Sequence, residues 1–355
     1  MILRRMQLAQ KLKTLGSFID NRQKIMKAAG LSLLMVFITF CTSKPSGVAK
    51  LAASPVFSFT SQPITSTPEN HVPVLAYYYI WFDSKSWDRA KTDYPLLGRY
   101  SSDDANVMRQ HIQWAKDAGI DGFIVSWKST GKLNSRLDQL VELADQENFK
   151  LAIIYQGLNF FRDPLPVEQV DADMEYFIEQ YSGNPVFDLF EKPLMIWSGT
   201  WEFSEQEIGA VVQNKRDSLL ILASEKNVKG YQRLSNMVDG NAYYWSSVNP
   251  DTHPEYPDKL VTMSEVVHET GGLWIAPAAP GFDARLIGGT RSIDRKEGET
   301  LQLELNAALQ SSPDAIGLIS WNEFSENSHI EPSEEHGHRY LQVLAEMLPI
   351  TPYSR

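Results

Sequence analysis

Short apolar runs alternate with longer amphipathic stretches from residue 72 to the end of the chain. The runs have the length of buried β-strands, and the stretches between them repeat apolar residues at helical spacing. Residues 103–119 show this repeat clearly, because Val107, His111 and Ala115 fall on one helical face and Gly119 provides a stop signal. The pattern predicts a regular succession of β-strands and α-helices.

Eight of the apolar runs are predicted strands. They cover residues 72–82, 121–127, 150–156, 193–198, 218–224, 240–247, 272–278 and 315–324. Strands that alternate with helices form parallel sheets, and a set of eight favours a closed (β/α)8 barrel. An open doubly wound sheet is the alternative, but it usually begins with a GxGxxG turn, and none follows the first strand. We therefore predict one α/β domain, a TIM barrel, over residues 72–355.

The first 41 residues have the pattern of a signal sequence or membrane anchor. Residues 1–27 carry seven Lys and Arg against one acidic residue, and an apolar run follows at 28–40, directly before Cys41. Because this run is shorter than the roughly 20 residues that span a bilayer, it is typical of a secretory signal. Cleavage after the run, lipid attachment at Cys41 and an uncleaved anchor remain three alternatives.

Residues 42–71 are rich in Ser, Thr, Pro and Ala, a composition that cannot bury enough apolar surface to fold. They are predicted to form a flexible linker between the N-terminal segment and the barrel. The protein is therefore expected to be exported and to act outside the cytoplasm, either secreted or tethered. Contact with the membrane is expected only through residues 1–41.

Composition narrows the possible partners. The formal net charge of -11 argues against nucleic-acid binding, which needs a basic face. The single cysteine excludes an intrachain disulfide. The chain also contains nine Trp and fourteen Tyr, and such rings either fill a core or present flat faces to a ligand. Nothing in the sequence indicates a cofactor, and the protein is expected to be a monomer.

Several predicted strands end in aromatic or polar residues. In a barrel, the carboxyl ends of all strands meet at one face, and that face carries the active site. Polar strand ends can be simple caps, but a ring of aromatic side chains is typical of a cleft that binds a carbohydrate. The candidate substrate-binding residues at these ends are Tyr79, Trp81, Trp127, Lys128, Tyr155, Tyr244, Trp245 and Asn322.

Two glutamates follow the eighth predicted strand in the segment WNEFSENSHIEP, residues 321–332. Glu323 lies at the strand end, and Glu326 lies in the loop after it. Hydrolysis of a glycosidic bond needs one protonated and one ionised carboxyl, and mutual repulsion separates the pKa values of two neighbouring carboxyls. Glutamates at this spacing are often solvated surface residues, so it is their position at a barrel strand end that favours a catalytic pair.

This segment resembles the last-strand motif of glycoside hydrolase family 99, N-E-W-x-E-G-T-x-I-E, a family of endo-α-mannosidases and endo-α-mannanases. The likeness extends to AYYYIWF at 76–82, to GIDGFIVSWK at 119–128 and to the stretch 280–309. It covers nearly the whole predicted domain. Family 71, the α-1,3-glucanases, is a close relative and stays an alternative.

The resemblance implies a retaining, endo-acting hydrolase. It implies that Glu323 acts as base on the sugar 2-hydroxyl, which attacks the anomeric carbon to give an epoxide-like intermediate. Glu326 would protonate the leaving oxygen and then activate water. Trp127 would line the sugar subsites, and Tyr244 would match the tyrosine of the family's sixth strand.

Three departures from the family pattern leave the acid pair intact. Phe324 stands where the family has another aromatic residue, and Ile80 stands where it has proline. Asn327 and Ser328 replace Gly-Thr after the second glutamate, a change that could move the loop that carries Glu326. The substrate is therefore left open between α-mannosidic and related α-glycosidic linkages in a polysaccharide or glycan.

A dense set of histidines and carboxylates follows the pair. It contains His329, His336 and His338 together with Glu331, Glu334 and Glu335. A metal site is one interpretation, but a helix start at Ser333 with acidic residues in its first turn explains the same pattern. We expect no metal, and we expect His329 to contact a sugar hydroxyl.

A second class of function fits the same barrel. A catalytically silent barrel could bind polysaccharide or assist surface-polysaccharide assembly, since a fold does not determine a function. An acyl or amide hydrolase is disfavoured because no GxSxG nucleophile elbow is present. The two main hypotheses differ in one feature, because an enzyme needs Glu323 and Glu326 in one deep cleft.

Overall fold

The computed structural model describes residues 71–89, 91–246, 248–249 and 251–348. The predicted signal or anchor at 1–41 and the predicted linker up to residue 70 lie outside them. The first strand begins at Val74, close to the predicted start of the domain at residue 72. Within the described residues, no helix combines the length and the apolar character needed to cross a membrane.

Eight parallel strands close into a barrel, which confirms the predicted fold class. Seven are β1 (Val74–Tyr79), β2 (Gly122–Trp127), β3 (Lys150–Gln156), β4 (Leu194–Ser198), β5 (Leu220–Ala223), β6 (Gly240–Ala242) and β7 (Leu273–Ala278). A small antiparallel pair follows, β8 (Phe282–Asp283) and β9 (Ser292–Ile293), and the eighth barrel strand is β10 (Ala315–Leu318). Each barrel strand pairs with the next, and β10 closes the ring with Ile316 opposite Val74 of β1.

Eight α-helices lie in the described part of the chain, between the barrel strands and after the last. They are α1 (Ala105–Asp117), α2 (Gly131–Gln146), α3 (Val167–Tyr181), α4 (Glu205–Val212), α5 (Val228–Gln232), α6 (Tyr256–Glu269), α7 (Glu299–Gln310) and α8 (Arg339–Met347). Side-chain oxygens of Asp104 and Thr130 cap α1 and α2, where free backbone amides need partners. Ser204 and Glu207 form a capping box on α4.

Alternation along each strand divides the apolar residues between two layers. Leu75, Ile124 and Ile196 belong to one cluster, which fills the barrel. Val125 and Ile153 belong to the other cluster, which joins the strands to the surrounding helices. Every second side chain of a strand has the inward parity, which means that it points into the barrel, and the others have the outward parity and point at the helices. At the carboxyl end of a strand, a side chain of inward parity faces the mouth. This parity therefore decides which strand-end side chains can reach a ligand.

Three strands end at least three residues before the predicted position. β1 ends at Tyr79 rather than residue 82, β6 ends at Ala242 rather than 247, and β10 ends at Leu318 rather than 324. In each case the chain leaves the hydrogen-bonded ladder where its side chains begin to build the mouth. Beyond β10, the amide of Trp321 still donates to the carbonyl of Tyr77 at 2.8 Å, which keeps this segment against β1.

Candidate active site

A cavity of about 500 Å³ opens at the carboxyl end of the barrel. Its volume lies in the range usual for ligand sites. Five of the predicted site residues contribute to its wall, namely Tyr79, Trp81, Tyr244, Glu323 and Glu326. Both glutamates thus face one cleft, as the enzyme hypothesis requires.

Glu323 is held by the backbone that follows β10. Its amide donates to Ser320 Oγ at 2.8 Å, and its carboxyl Oε1 accepts the amide of Ser325 at 3.1 Å. Directly before it, Asn322 accepts the amide of Tyr79 at 2.8 Å and donates to the Tyr79 carbonyl at 3.0 Å. The Asn322 side chain therefore joins the two segments where the ladder has ended. Only 8% of Glu323 is exposed.

Glu326 lies in a loop that is fixed from the side of β8 and β9. Arg295 donates to the carbonyls of Asn327 at 2.9 Å and His329 at 2.8 Å. The amide of Asp283 donates to the carbonyl of Glu326 at 2.7 Å. Asn327 adopts a φ of 49°, in the left-handed region that glycine and asparagine tolerate best. Asparagine is thus a well-tolerated replacement for the glycine of the family motif.

Burial raises the proton affinity of both carboxyls. Burial, together with the charge of Glu326, raises the pKa of Glu323 to about 8. Burial also raises the pKa of Glu326, and the guanidinium of Arg162 opposes that rise. Because two such neighbours do not ionise together easily, the pair holds one proton near neutral pH. One protonated and one ionised carboxyl is the state that glycoside hydrolysis needs.

Two tyrosine hydroxyls lie beside the carboxyl pair. The Oη atoms of Tyr79 and Tyr244 are 2.5 Å apart. Burial and the neighbouring carboxylates raise the pKa of each phenol far above its usual value, so both stay protonated. One of them donates to the other, and the second can donate to a carboxylate or to a sugar hydroxyl. Trp81 is 42% exposed and packs beside Tyr79 with ring centroids 4.4 Å apart, which leaves part of its ring available to a ligand.

The other side chains of the cavity wall that carry polar groups were not among the site residues predicted from the sequence. They are Gln156, Arg162, Ser198, Trp201, Glu202, Ser224 and Lys226. Gln156 and Ser198 end β3 and β4 with the inward parity, so counting alternate residues along each strand would have found both. Arg162, Trp201 and Lys226 lie in loops beyond the strands, where no periodic signal exists.

Trp127 and Tyr155 do not line the cavity, which corrects their assignment as substrate-binding residues. Both are fully buried and have the outward parity at the ends of β2 and β3. Trp127 Nε1 donates to Asn134 at 3.0 Å, and the Tyr155 hydroxyl donates to Asp173 of α3 at 3.0 Å. The two rings therefore attach strands to helices instead of forming the mouth.

Lys128 and Trp245 also lie away from the cavity wall. Burial raises the pKa of Asp173, on the helical side of β3, and the ammonium of Lys128 is among the groups that oppose that rise. Trp245 packs edge-on against Tyr256 with ring centroids 5.6 Å apart, and Lys259 Nζ lies 4.0 Å from its ring centroid. β6 ends at Ala242, so Trp245 is not the strand-end residue that was predicted.

Asn322 and His329 lie beneath the cavity, where neither is exposed. The ring of His329 stacks on Phe324 at 3.9 Å, and its Nε2 is 3.0 Å from Asp93 Oδ2. Arg295 donates to its Nδ1 at 3.3 Å. The predicted sugar contact of His329 is therefore corrected, because both ring nitrogens support the loop that carries Glu326.

Asp93, His329 and His336 offer ligand atoms within 4.8 Å of one another, a spacing compatible with a metal ion. The hydrogen bonds made by these residues argue against a bound metal ion. Since Arg295 donates to Nδ1 of His329, the proton of that ring lies on Nε2 and points at Asp93. The Arg295 guanidinium would also repel a cation at this place. We interpret the cluster as a hydrogen-bonded support.

Glu331 belongs to a second buried network under the mouth. Its Oε1 is 3.0 Å from His111 Nε2, and its Oε2 accepts the hydroxyl of Tyr100 at 2.8 Å. Tyr100 in turn accepts a hydrogen bond from Asn322 at 3.2 Å. The network connects α1 to the motif and holds the residue next to Glu323. The third glutamate of the motif is therefore a structural one.

Comparison with known proteins shows which family and which proteins this chain is similar to. A family model described as Glycosyl hydrolase family 99 matches residues 73–344. The glycoprotein endo-alpha-1,2-mannosidase of Rattus norvegicus is 23% identical over 269 residues, which cover 69% of this chain and 57% of the rat protein. A mutanase of Penicillium rubens is 23% identical over 261 residues, which cover 71% of this chain and 56% of the mutanase. The chain thus spans less than two thirds of these curated relatives.

A solved structure has the same fold. The GH99 endo-alpha-mannosidase from Bacteroides thetaiotaomicron superposes with a TM-score of 0.69 at 21% identity. The superposition covers 77% of this chain and 95% of that one. At this level of identity the likeness supports the barrel, and the chemistry has to be argued from the residues of the cavity.

Proposed function

This chain belongs to glycosyl hydrolase family 99, and from that membership we propose that it hydrolyses α-glycosidic linkages with Glu323 and Glu326 as its catalytic carboxyls. The observation that carries the proposal is that both carboxyls line one cavity at the carboxyl end of the barrel. Their raised pKa values add support, because a barrel that only binds sugar has no need for two buried carboxyls at its ligand.

The first step breaks the glycosidic bond. In this proposal, ionised Glu323 takes the proton of the sugar 2-hydroxyl, and the 2-oxygen attacks the anomeric carbon. Protonated Glu326 gives its proton to the leaving oxygen as that bond breaks, which leaves an epoxide-like intermediate. With a pKa of about 8, Glu323 suits the role of base. The two carboxyls share this proton, and the reaction starts from the form that carries it on Glu326.

The second step opens the intermediate with water. Glu326, ionised by the first step, takes a proton from water, whose oxygen attacks the anomeric carbon. The bond to the 2-oxygen breaks, and that oxygen regains its proton from Glu323. Two displacements at one carbon return its original configuration, so the proposed reaction proceeds with retention.

Other groups close to the two carboxyls would hold the charges of this reaction in place. One of the hydroxyls of Tyr79 and Tyr244 donates to the other, and the second hydroxyl can donate to whichever carboxyl is ionised. The ammonium of Lys91 lies close enough to Glu323 to oppose the rise of its pKa, and it also donates to Ser325 Oγ at 3.2 Å. These groups are fixed before substrate arrives, which is the condition for electrostatic stabilisation of a transition state.

We propose an internal α-mannosidic linkage of a polysaccharide or glycan as the substrate. The name of the rat relative, an endo-alpha-1,2-mannosidase, supports this choice, whereas the mutanase relative keeps other α-glycans as a second candidate. The cavity is bounded by loops after β1, β3, β4 and β5, which carry Trp81, Arg162, Trp201 and Lys226. A glycan chain can pass between such loops, which favours endo-action.

The proposal is tested by incubating the full chain with a panel of α-mannans and α-glucans and separating the products by chromatography. We expect one polymer class to give oligosaccharides of several lengths, which is the product pattern of internal cleavage. Glu323→Gln and Glu326→Gln serve as matched variants and should give none. A folded native chain that binds a polymer but cuts nothing would favour the silent binding barrel, and calorimetric titration would then measure that binding.

We also propose that the protein is exported and that residues 1–41 are its signal or its anchor. The support is the basic flank and the short apolar run of that segment. Fractionation of producing cells, followed by alkaline extraction of membranes, separates a released, a peripheral and an anchored form. Recovery of the active chain from the cytoplasm would contradict export.

A further inference from the structure

Exposed large apolar side chains are concentrated at the mouth of the barrel. Among the described residues only Leu303, 40% exposed, belongs to an α-helix. The others lie in segments that follow barrel strands, namely Trp81, Leu96, Phe160, Phe161, Leu286 and Ile287. An uneven distribution of this kind indicates a binding surface rather than scattered surface residues.

Phe160 and Phe161 are the extreme case, with exposed fractions of 90% and 80%. They occupy the tip of the loop between β3 and α3, where turns usually carry polar residues. Their rings are 5.6 Å apart and nearly perpendicular. Two adjacent aromatic rings with almost no protein contact are costly in water, so their place at the tip points to a ligand.

The loop holds this pair in a fixed position. The amide of Asn159 donates to the carbonyl of Asp163 at 2.8 Å, and the amide of Arg162 donates to the carbonyl of Asn159 at 3.0 Å. Asn159 Oδ1 also accepts the amide of Phe161 at 2.8 Å. The tip is therefore a closed turn, and its backbone needs little further ordering on binding.

The pair is continuous with the cavity. Arg162, directly after the pair, and Leu158, two residues before Phe160, both line the cavity wall. A glycan that leaves the cavity past this wall meets the two phenylalanines next, and a sugar ring can stack its C–H face on an aromatic ring. An anionic membrane surface is a poorer partner, because the chain carries a formal net charge of -11.

We propose that Phe160 and Phe161 form an outer subsite that receives a sugar residue of the substrate beyond those enclosed by the cavity. This inference rests on the proposed glycoside hydrolase function. The subsite extends the binding cleft, so it favours long glycans over short ones and supports cleavage within a chain. The subsite contributes to the binding of the polymer and does not contact the bond that is cleaved.

The test compares a polymeric α-mannan with an α-linked mannotrisaccharide as substrates of the full chain. In the double variant Phe160→Ala, Phe161→Ala we expect the ratio of kcat/KM for the polymer to kcat/KM for the trisaccharide to fall about tenfold, the equivalent of about 1.4 kcal/mol. The fall should come from KM. Phe160→Tyr with Phe161→Tyr should keep the ratio, because the rings remain. Leu303→Ala is the matched control, an exposed apolar side chain on α7.

Several results would overturn the proposal. An unchanged ratio in a double variant with a native melting curve would do so. Loss of vesicle binding, or loss of a dimer in light scattering, with an unchanged ratio would assign the pair to a membrane or to a second copy of the chain. If the native chain cleaves neither substrate, that result contradicts the proposed hydrolase function and leaves the subsite to be tested by binding. Calorimetric titration with the α-mannan then tests the subsite by itself. The proposal requires the double variant to bind the α-mannan more weakly than Leu303→Ala does.

Discussion

Three of the glutamates in the segment after β10 belong to the motif at residues 321–332, and two regions of the segment use them differently. In the part that faces the cavity, Glu323 and Glu326 line the wall, and burial raises the pKa of both. In the part that faces the interior, both carboxyl oxygens of Glu331 are bonded, to His111 and to Tyr100. A fully bonded carboxyl is a structural element, whereas a buried carboxyl that faces open space is available for proton transfer.

The comparison also explains why the two regions depend on each other. The Glu331 network reaches Asn322 through Tyr100, and Asn322 holds the backbone beside Glu323. On the other side, Arg295 fixes the loop that carries Glu326. The positions of the two cavity carboxyls are thus set by side chains that do not line the cavity. Substitutions in the two regions should therefore have different effects, from the largest to the smallest as follows.

Replacing either cavity glutamate should have the largest effect on activity. Glu323→Gln and Glu326→Gln each remove a proton donor or acceptor, and we expect kcat to fall by about 10²- to 10⁴-fold. The melting temperature should stay equal or rise, because the amide avoids the cost of burying an ionised carboxyl. Initial rates on the cleaved polymer and a melting curve test both statements. Glu334→Gln, at an exposed acid of the same segment, is the control.

Replacing the interior glutamate should mainly affect stability. Glu331→Ala leaves His111 and Tyr100 without their buried partner, and we expect the free energy of unfolding to fall by about 3 kcal/mol. The folded fraction should retain most of its kcat, because the two hydrogen bonds between Asn322 and the backbone of Tyr79 still hold the chain beside Glu323. Urea denaturation gives the first quantity, and rates below the unfolding transition give the second. A loss of kcat as deep as in Glu323→Gln, with native stability, would contradict this division.

Arg295→Gln should affect the position of Glu326 more than the binding of substrate. The variant loses the bonds to the carbonyls of Asn327 and His329, and we expect kcat to fall about tenfold or more, as small misplacements of catalytic groups do. KM should change little because Arg295 does not line the cavity. Steady-state rates over a range of polymer concentrations separate the two constants. A change confined to KM would show that the loop does not depend on Arg295 for its catalytic geometry.

Arg162→Gln should give the smallest change, a shift of the pH profile. The carboxyl pair is active while it carries one proton, so the rate falls above about pH 8, where Glu323 ionises as well. It also falls on the acidic side, where Glu326 gains a proton. Arg162 opposes protonation of Glu326, so its removal raises the pKa of Glu326 and moves the acidic limb to higher pH. Lys226→Gln is the matched variant, and its acidic limb should stay in place.

Much of the fold could be predicted because its signals are local. Each of the eight barrel strands overlaps a predicted run, since a buried strand of a barrel is apolar on both faces. Strand ends were less accurate at 240–247 and 315–324, where the apolar run continues after the ladder has ended. The β8–β9 pair was missed because two strands of two residues each leave no periodic signal.

The site was predicted unevenly for a related reason. Glu323 and Glu326 were found because they form a compact motif at a strand end. Trp127 was misplaced because its residue type was considered without its parity, whereas Gln156, with the inward parity at the end of β3, was overlooked. Arg162 could not be found, because its loop reaches the cavity only through the arrangement of the barrel.

By itself the sequence determined the barrel, the position of its mouth and the acid pair, because each of these depends on periodicity or on residues adjacent in the chain. Only the tertiary structure decided which glutamates remain free and which is fully bonded. It also decided which aromatic side chains face the cavity and which attach strands to helices. These outcomes depend on contacts between residues far apart in the chain, such as Glu331 with His111 and Arg295 with the loop of Glu326, and no local pattern encodes them.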